Sequence, residues 1–374
     1  LEFINKELEY IKKNHLYRKL KIGRSSGAYI TINGKKLLNM CSNDYLGILP
    51  TKIEINQIQS SSRLVSGNDE AFRDLEKKLA RHKSQQSSLI YPTGYMANLG
   101  IISAIARQGD IILSDKLNHA SIIESCRLSG AKIVVYNHND TDDLKQKLQQ
   151  KARNKFVITE GVFSMDGDFS SLDQITEIAQ KAGAITVLDD AHGDFVMGRD
   201  GKGTANHFRV SKKIDVYISS LSKGLGSFGG YIASEGNVVD FCINKSKSFI
   251  YTSALPSFLA EHASKRLNMD REAHRRRLQR NTKKISRGLK QIGYNIESKS
   301  QIIPIIVGNE KTALKLGDFV FKNGLFAQPI RYPTVPKGQA RLRISVTGWL
   351  SDKDIESALF VFEDAAKRFK DLSK

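Results

Sequence analysis

Asp189-Asp190-Ala191-His192 closes one apolar run and Ser222-Lys223-Gly224-Leu225-Gly226 closes another, so a carboxylate and a primary amine each stand at the end of a predicted strand. A lysine amine can hold the aldehyde of pyridoxal phosphate as a Schiff base. An aspartate beside the ring nitrogen keeps that nitrogen protonated and makes the ring an electron sink. Neither group suffices alone. A carboxylate buried at a strand end without a partner is costly, which favours a chemical role for Asp189 over a structural one.

Other polar residues fall at similar places. Tyr91-Pro92-Thr93-Gly94-Tyr95 lies between a predicted strand and a predicted helix, where free amides and the helix dipole favour an anion; ordinary turn chemistry would use the same residues. His119, in Asp115-Lys116-Leu117-Asn118-His119-Ala120-Ser121, can stack on a planar cofactor or simply cap the next helix. Ser164, in the turn between Gly161 and Gly167, can donate to a cofactor oxygen or serve the turn alone. His192 is placed to meet a ring hydroxyl. Gly224-Leu225-Gly226-Ser227-Phe228-Gly229 fits a dinucleotide-binding spacing, but it runs into an apparent strand, Tyr231–Ala233, and opens no helix that could present amides to a pyrophosphate.

These positions need a scaffold. With 374 residues, 40% of them hydrophobic, the chain can bury more than one core, and two domains are expected. Strands are predicted at Ser88–Tyr91, Ile111–Ser114, Ile133–Tyr136, Phe156–Glu160, Ile185–Asp189, Val216–Ser219 and Tyr231–Ala233, with helices such as Tyr95–Ala106, Asp142–Ala152 and Leu172–Ala182 between most of them. This alternation predicts an α/β fold with a mostly parallel central sheet and an active site at the strands' carboxyl ends. An N-terminal arm, residues 1–40, comprises a charged helix over 4–22 and two strands turning at Asn33-Gly34. The large domain spans 41–258, and a smaller α+β C-terminal domain spans 259–374, opening on a long helix from Pro256 to about Ile292 and closing on a helix from Asp352.

Cys41, Cys126 and Cys242 have neither bridge nor metal-ligand spacing and read as reduced core thiols. No apolar run approaches the roughly 20 residues that span a bilayer, so a cytoplasmic protein without membrane contact is expected. The net charge of +19 raises nucleic acid as a partner. Its densest stretch, Arg271 to Lys290, repeats apolar residues at helical spacing, however, and no aromatic RNA-binding signature or zinc-finger spacing accompanies it. A solvated face explains it, with an acidic acyl carrier or a CoA phosphate as the alternative.

In order, these segments resemble the α-oxoamine synthase family of fold-type I pyridoxal-phosphate enzymes, over residues 15 to 370. The resemblance is carried by Ser42-Asn43-Asp44-Tyr45-Leu46-Gly47, Ser62 to Asn68, Thr159 to Asp168, Asp189 to Gly193 and Ile330 to Pro336. It implies a PLP-dependent transferase with Lys223 as the Schiff-base lysine, Asp189 on the pyridine nitrogen and His119 stacked on the ring. His192 and Ser164 would hold the ring hydroxyl region. Thr93, Gly94, Tyr95 and Ser220 would bind the phosphate, and Thr252 would complete that site in a homodimer. Arg343 and Arg18 would take substrate carboxylates, with Asn43 also on the substrate. The segments at 62–68 and 330–336 are most similar to members that condense L-alanine with a pimeloyl thioester, on CoA or an acyl carrier protein, in biotin biosynthesis. Alternatives are the glycine-using members, 2-amino-3-ketobutyrate CoA ligase and 5-aminolevulinate synthase, and a non-catalytic basic binding protein on the same fold. The chain departs from the family in a short stretch between Gly47 and Ser62, in Asp194-Phe195 where the family has Thr-Gly, and in Tyr332 where the alanine-using members have Pro.

Overall fold

The computed structural model describes residues 1–55 and 60–369; residues 56–59, within the short stretch noted above, lie outside it. The chain divides into two compact units. The larger comprises Pro50–Ser164 and Phe169–Ala273, the smaller Leu1–Leu49, Met165–Asp168 and His274–Lys374. This division differs from the one expected at residues 40 and 258. The N-terminal arm groups with the C-terminal segment because Lys35–Asn39 pairs in parallel with Leu325–Phe326. The helix Ser257–Asn268 groups with the larger unit, where Lys78 of helix Glu70–Lys83 donates to Ser264.

The larger unit is built on a seven-stranded sheet. Its strands in chain order are β1 (Ser87–Tyr91), β2 (Ile111–Asp115), β3 (Lys132–Tyr136), β4 (Lys155–Glu160), β5 (Ile185–Asp189), β6 (Val216–Ser220) and β7 (Gly230–Ser234). Across the sheet they run β1-β7-β6-β5-β4-β2-β3, parallel apart from β7, which is antiparallel to both its neighbours. All seven predicted strands are present, each within a residue or so of its expected bounds. Successive residues point to opposite faces. Ile112, Ile158, Val187 and Ile218 enter one core with Ile101 and Ile102 of helix Gly94–Ile105, while Leu113 and Val157 enter another with Ile175 of helix Leu172–Lys181. With both faces covered, the sheet leaves its strand ends as the place for polar chemistry. The expected helix 142–152 is shorter, Thr141–Lys147: Leu148 turns into the core, and Arg153 returns to a 2.8 Å ion pair with buried Asp110.

In the smaller unit the first helix is Glu2–Lys13, shorter than expected because His15 adopts a left-handed backbone, φ 59°. Strands Gly23–Ser26, Tyr29–Ile32 and Lys35–Asn39 form an antiparallel meander whose second turn uses Asn33 and Gly34 at φ 48° and 76°, as a two-residue hairpin requires. A second sheet holds Ala340–Ser345 between Ile302–Gly308 and Pro329–Ile330. The helix expected from 256 to 292 is two helices: Met269 is extended, and the Asp270 carboxylate caps the amide of Glu272, which opens the second, Glu272–Ile292. On that helix Leu278, Ile285 and Leu289 are buried and Arg277, Lys283, Arg287 and Lys290 are exposed. The last helix, Asp352–Arg368, starts with a reciprocal cap between Ser351 and Asp354. Among the described residues no helix is long and apolar enough to cross a membrane.

Candidate active site

The carboxyl edge of the large sheet gathers the predicted residues of the larger unit. Asp189, the last residue of β5, is 7% exposed and sits in register with Glu160, the last residue of β4. Its carboxylate accepts from Asn98 Nδ2 at 2.7 Å and from the Ala191 amide at 3.0 Å. Two directed donors fix the group and leave acceptor capacity for a further N–H. Lys223 follows β6, and its Nζ lies 2.9 Å from Nε2 of buried His192. The lysine and the aspartate therefore belong to one cluster, joined by the short segment from 189 to 192.

His119 caps helix Ala120–Ser129, with Nδ1 accepting from the Ser121 amide at 3.2 Å. Its ring lies edge-on to that of Tyr95, centroids 6.3 Å apart. Burial lowers its pKa, the Asp189 charge opposing that shift and Lys223 reinforcing it, so the ring is neutral at physiological pH.

Thr93 caps helix Gly94–Ile105, its hydroxyl accepting from the Met96 amide at 3.1 Å. The turn is pressed against two strands. A Cβ on Gly94 would lie 3.2 Å from Ser220 Cβ, and one on Gly230 would lie 2.4 Å from the Gly94 nitrogen. Ser220 and Ser222 pair their hydroxyls at 2.8 Å beside this helix start. Amides at a helix N-terminus flanked by hydroxyls are the donor set a phosphate takes. With a lysine, a ring-sized aromatic neighbour and a doubly anchored aspartate in the same unit, these residues fit pyridoxal phosphate. The Gly224–Gly229 run leads into β7 and opens no helix.

Ser164 is buried at the end of the segment following β4. Thr252 lines a small cleft with Arg63, Phe72 and Tyr91. The substrate candidates belong to the smaller unit. Arg343 is buried and donates to Ser345 Oγ at 2.7 Å and Asn43 Oδ1 at 3.3 Å, so Arg343 and Asn43 come together. Arg18 is exposed and donates to Thr334 Oγ1 at 2.9 Å.

Two residues of the cluster had no role assigned from sequence. Asn98 is a lone polar group one turn into an apolar helix, a signal that could have marked it. Glu160 ends β4, and its sequence setting marks it only as the close of a strand. It is 3% exposed, its carboxyl pKa is raised well above the ordinary range by burial and then by Asp189, and among the described residues Oε1 has no hydrogen-bond partner.

The family model for aminotransferase class I and II matches residues 35–361. An 8-amino-7-oxononanoate synthase of Thermoanaerobacter pseudethanolicus is 40% identical, covering 98% of each chain. Among solved structures, a serine palmitoyltransferase of Sphingomonas wittichii superposes with a TM-score of 0.92 at 27% identity, covering 99% of this chain and 97% of that one. A variant serine palmitoyltransferase of S. paucimobilis, solved with a bound PLP–myriocin aldimine, has the same TM-score at 25% identity, covering 98% and 97%. The chain belongs to the aminotransferase class I and II family, and its curated relatives include 8-amino-7-oxononanoate synthases 36–40% identical to it.

Proposed function

We propose that this member of the family joins L-alanine to the acyl group of a pimeloyl thioester, on CoA or an acyl carrier protein, to give 8-amino-7-oxononanoate for biotin biosynthesis in the cytoplasm. Alanine Cα loses its proton and forms a C–C bond to the acyl carbon as the C–S bond breaks and the thiol leaves; the amino acid's carboxyl then departs as CO₂ and a proton returns to Cα. The observation that carries this reading is the meeting of Lys223, His192, Asp189 and His119 at one sheet edge in a chain whose relatives bear that activity's name.

Pyridoxal phosphate is the cofactor, and when bound it supplies a pyridinium ring that accepts the electron pair left at Cα. Lys223 would hold the cofactor's aldehyde, and its amine is the base for the Cα proton. His192, against Lys223 Nζ, and Ser164 hold the ring hydroxyl. Asp189, oriented by Asn98, would stabilise the ring's positive charge, and His119 would pack on the ring. Thr93, Gly94, Tyr95 and Ser220 bind the phosphate, with Thr252 contributed by a second copy in a homodimer. Arg343, with Asn43 beside it, and Arg18 take substrate carboxylates; a planar guanidinium suits that bidentate task.

The test is product analysis. Holoenzyme incubated with pimeloyl-CoA and either L-alanine or glycine should release 8-amino-7-oxononanoate with alanine and far less product with glycine. Faster turnover with glycine and a shorter acyl thioester would replace this reading with that of a glycine-using synthase.

A further inference from the structure

Behind the 189–195 segment lies a buried charge network that the reaction does not explain. His82 and Lys83 end helix Glu70–Lys83, and their side chains are 7% and 1% exposed. Lys83 Nζ reaches Asp194 Oδ1 at 2.7 Å, Asp190 Oδ2 at 3.0 Å and the Lys202 carbonyl at 3.2 Å, which uses all three ammonium donors. His82 donates from Nε2 to Asp194 Oδ1 at 2.8 Å, and the Tyr231 hydroxyl donates to Asp194 Oδ2. Asp190 Oδ1 accepts from Thr204 Oγ1 at 2.7 Å. Space around Asp190 is closed: a Cβ on Gly203, whose φ is +91°, would sit 1.8 Å from Oδ2.

The network reaches two adjacent residues of this segment, Asp194 and Phe195. Asp194 binds both His82 and Lys83. Phe195 has φ 64°, a left-handed backbone that a bulky residue rarely adopts. Its ring is fully buried and stacks on His82, centroids 4.9 Å apart and planes 13° apart, and its amide donates to the Gly201 carbonyl at 2.8 Å. The same segment alternates between two tasks. Asp190 and Asp194 face the network, while Asp189 and His192 join the Lys223 cluster. The amides of Gly193 and Asp194 both close onto the Asp190 carbonyl, at 3.0 and 2.8 Å, so a shift of Asp190 or Asp194 displaces His192.

We propose that His82 and Lys83 are positioning residues, which act through Asp190, Asp194 and Phe195 to hold His192 against Lys223 Nζ. The proposal rests on Lys223 being the cofactor lysine. Removing Lys83 alone leaves two buried carboxylates without their ammonium, whereas removing one charge from each side restores the balance.

The test compares wild-type holoenzyme with Lys83→Met, Asp194→Asn and the double variant, following the pH midpoint of the cofactor's absorbance and the kcat and KM for alanine. In Lys83→Met the midpoint should move by about half a pH unit or more and kcat should fall roughly tenfold, with KM changed less than about threefold, as misplacement of a reacting group predicts. The double variant should recover most of both losses, a rescue that loss of packing alone would not give. If Lys83→Met does not fold, the isosteric Asp194→Asn decides the matter by its midpoint. Folded variants with an unmoved midpoint and kcat overturn the proposal alone. A wild-type protein without a pH-dependent cofactor band overturns the Lys223 reading and the proposal together.

Discussion

Asn98 donates to Asp189 Oδ2 over 2.7 Å from one turn inside the helix whose first residues are the proposed phosphate cradle. One rigid element, Gly94–Ile105, thus touches both ends of the cofactor's expected position. In the proposed site its N-terminal amides would hold the phosphate, and Asn98 would orient the aspartate for the ring nitrogen.

Replacing Asn98 by Ala should leave cofactor binding near wild type and lower kcat roughly tenfold, because the Asp189 carboxylate loses one of its two directed donors. Asp189→Asn should keep the cofactor and lose roughly two to three orders of magnitude in alanine deprotonation, the cost of removing a preorganised electrostatic partner. Stopped-flow deprotonation of alanine measures both. An Asp189→Asn rate close to wild type would remove the aspartate from the mechanism.

The two hydroxyls at the cradle should separate by stability. Thr93→Ala removes a helix cap and should cost about 1 kcal/mol in the cofactor-free protein as well as weakening cofactor binding. Ser220→Ala should weaken binding with little effect on cofactor-free unfolding. Equilibrium cofactor titration and thermal melts of the apoprotein distinguish them; equal melting losses would show that Ser220 serves the fold and not the phosphate.

Asp190 predicts a pH signature. Burial, reinforced by Asp194 and opposed by Lys83, pushes its carboxyl up to about 6 from an ordinary 3.8. A carboxyl that holds its proton more tightly when folded contributes stability below its ordinary pKa and loses that contribution as pH rises through the folded one. The stability of wild type relative to Asp190→Asn should therefore decline between about pH 4 and about pH 6.5 and then level off. Thermal melts across that range check the sign, and a difference that grows with pH would contradict it.

Much of this site was legible in the sequence. Asp189 and Lys223 stand where apolar runs of β-formers stop, and in a parallel sheet that position has a fixed meaning. The helix after Gly94 and the hairpin at Asn33-Gly34 carried local signals of cap and turn. What sequence hid was pairing at long range. His82 meets Asp194 across 112 residues, and nothing local in His82-Lys83 distinguishes that pair from the exposed basic residues around it. The break at Met269-Asp270 also escaped, because it contains neither Gly nor Pro and depends on one carboxylate choosing to cap. The partners of Asp194 and Phe195 were hidden because they stand on a helix far away in the chain.

The most direct measurement is of the lysine itself. Borohydride reduction of the purified holoenzyme, followed by peptide mass mapping, should place a phosphopyridoxyl group on Lys223, and Lys223→Ala should lose both the label and the coloured band. A label on another lysine, or a Lys223→Ala variant that keeps its band and turnover, would contradict the account.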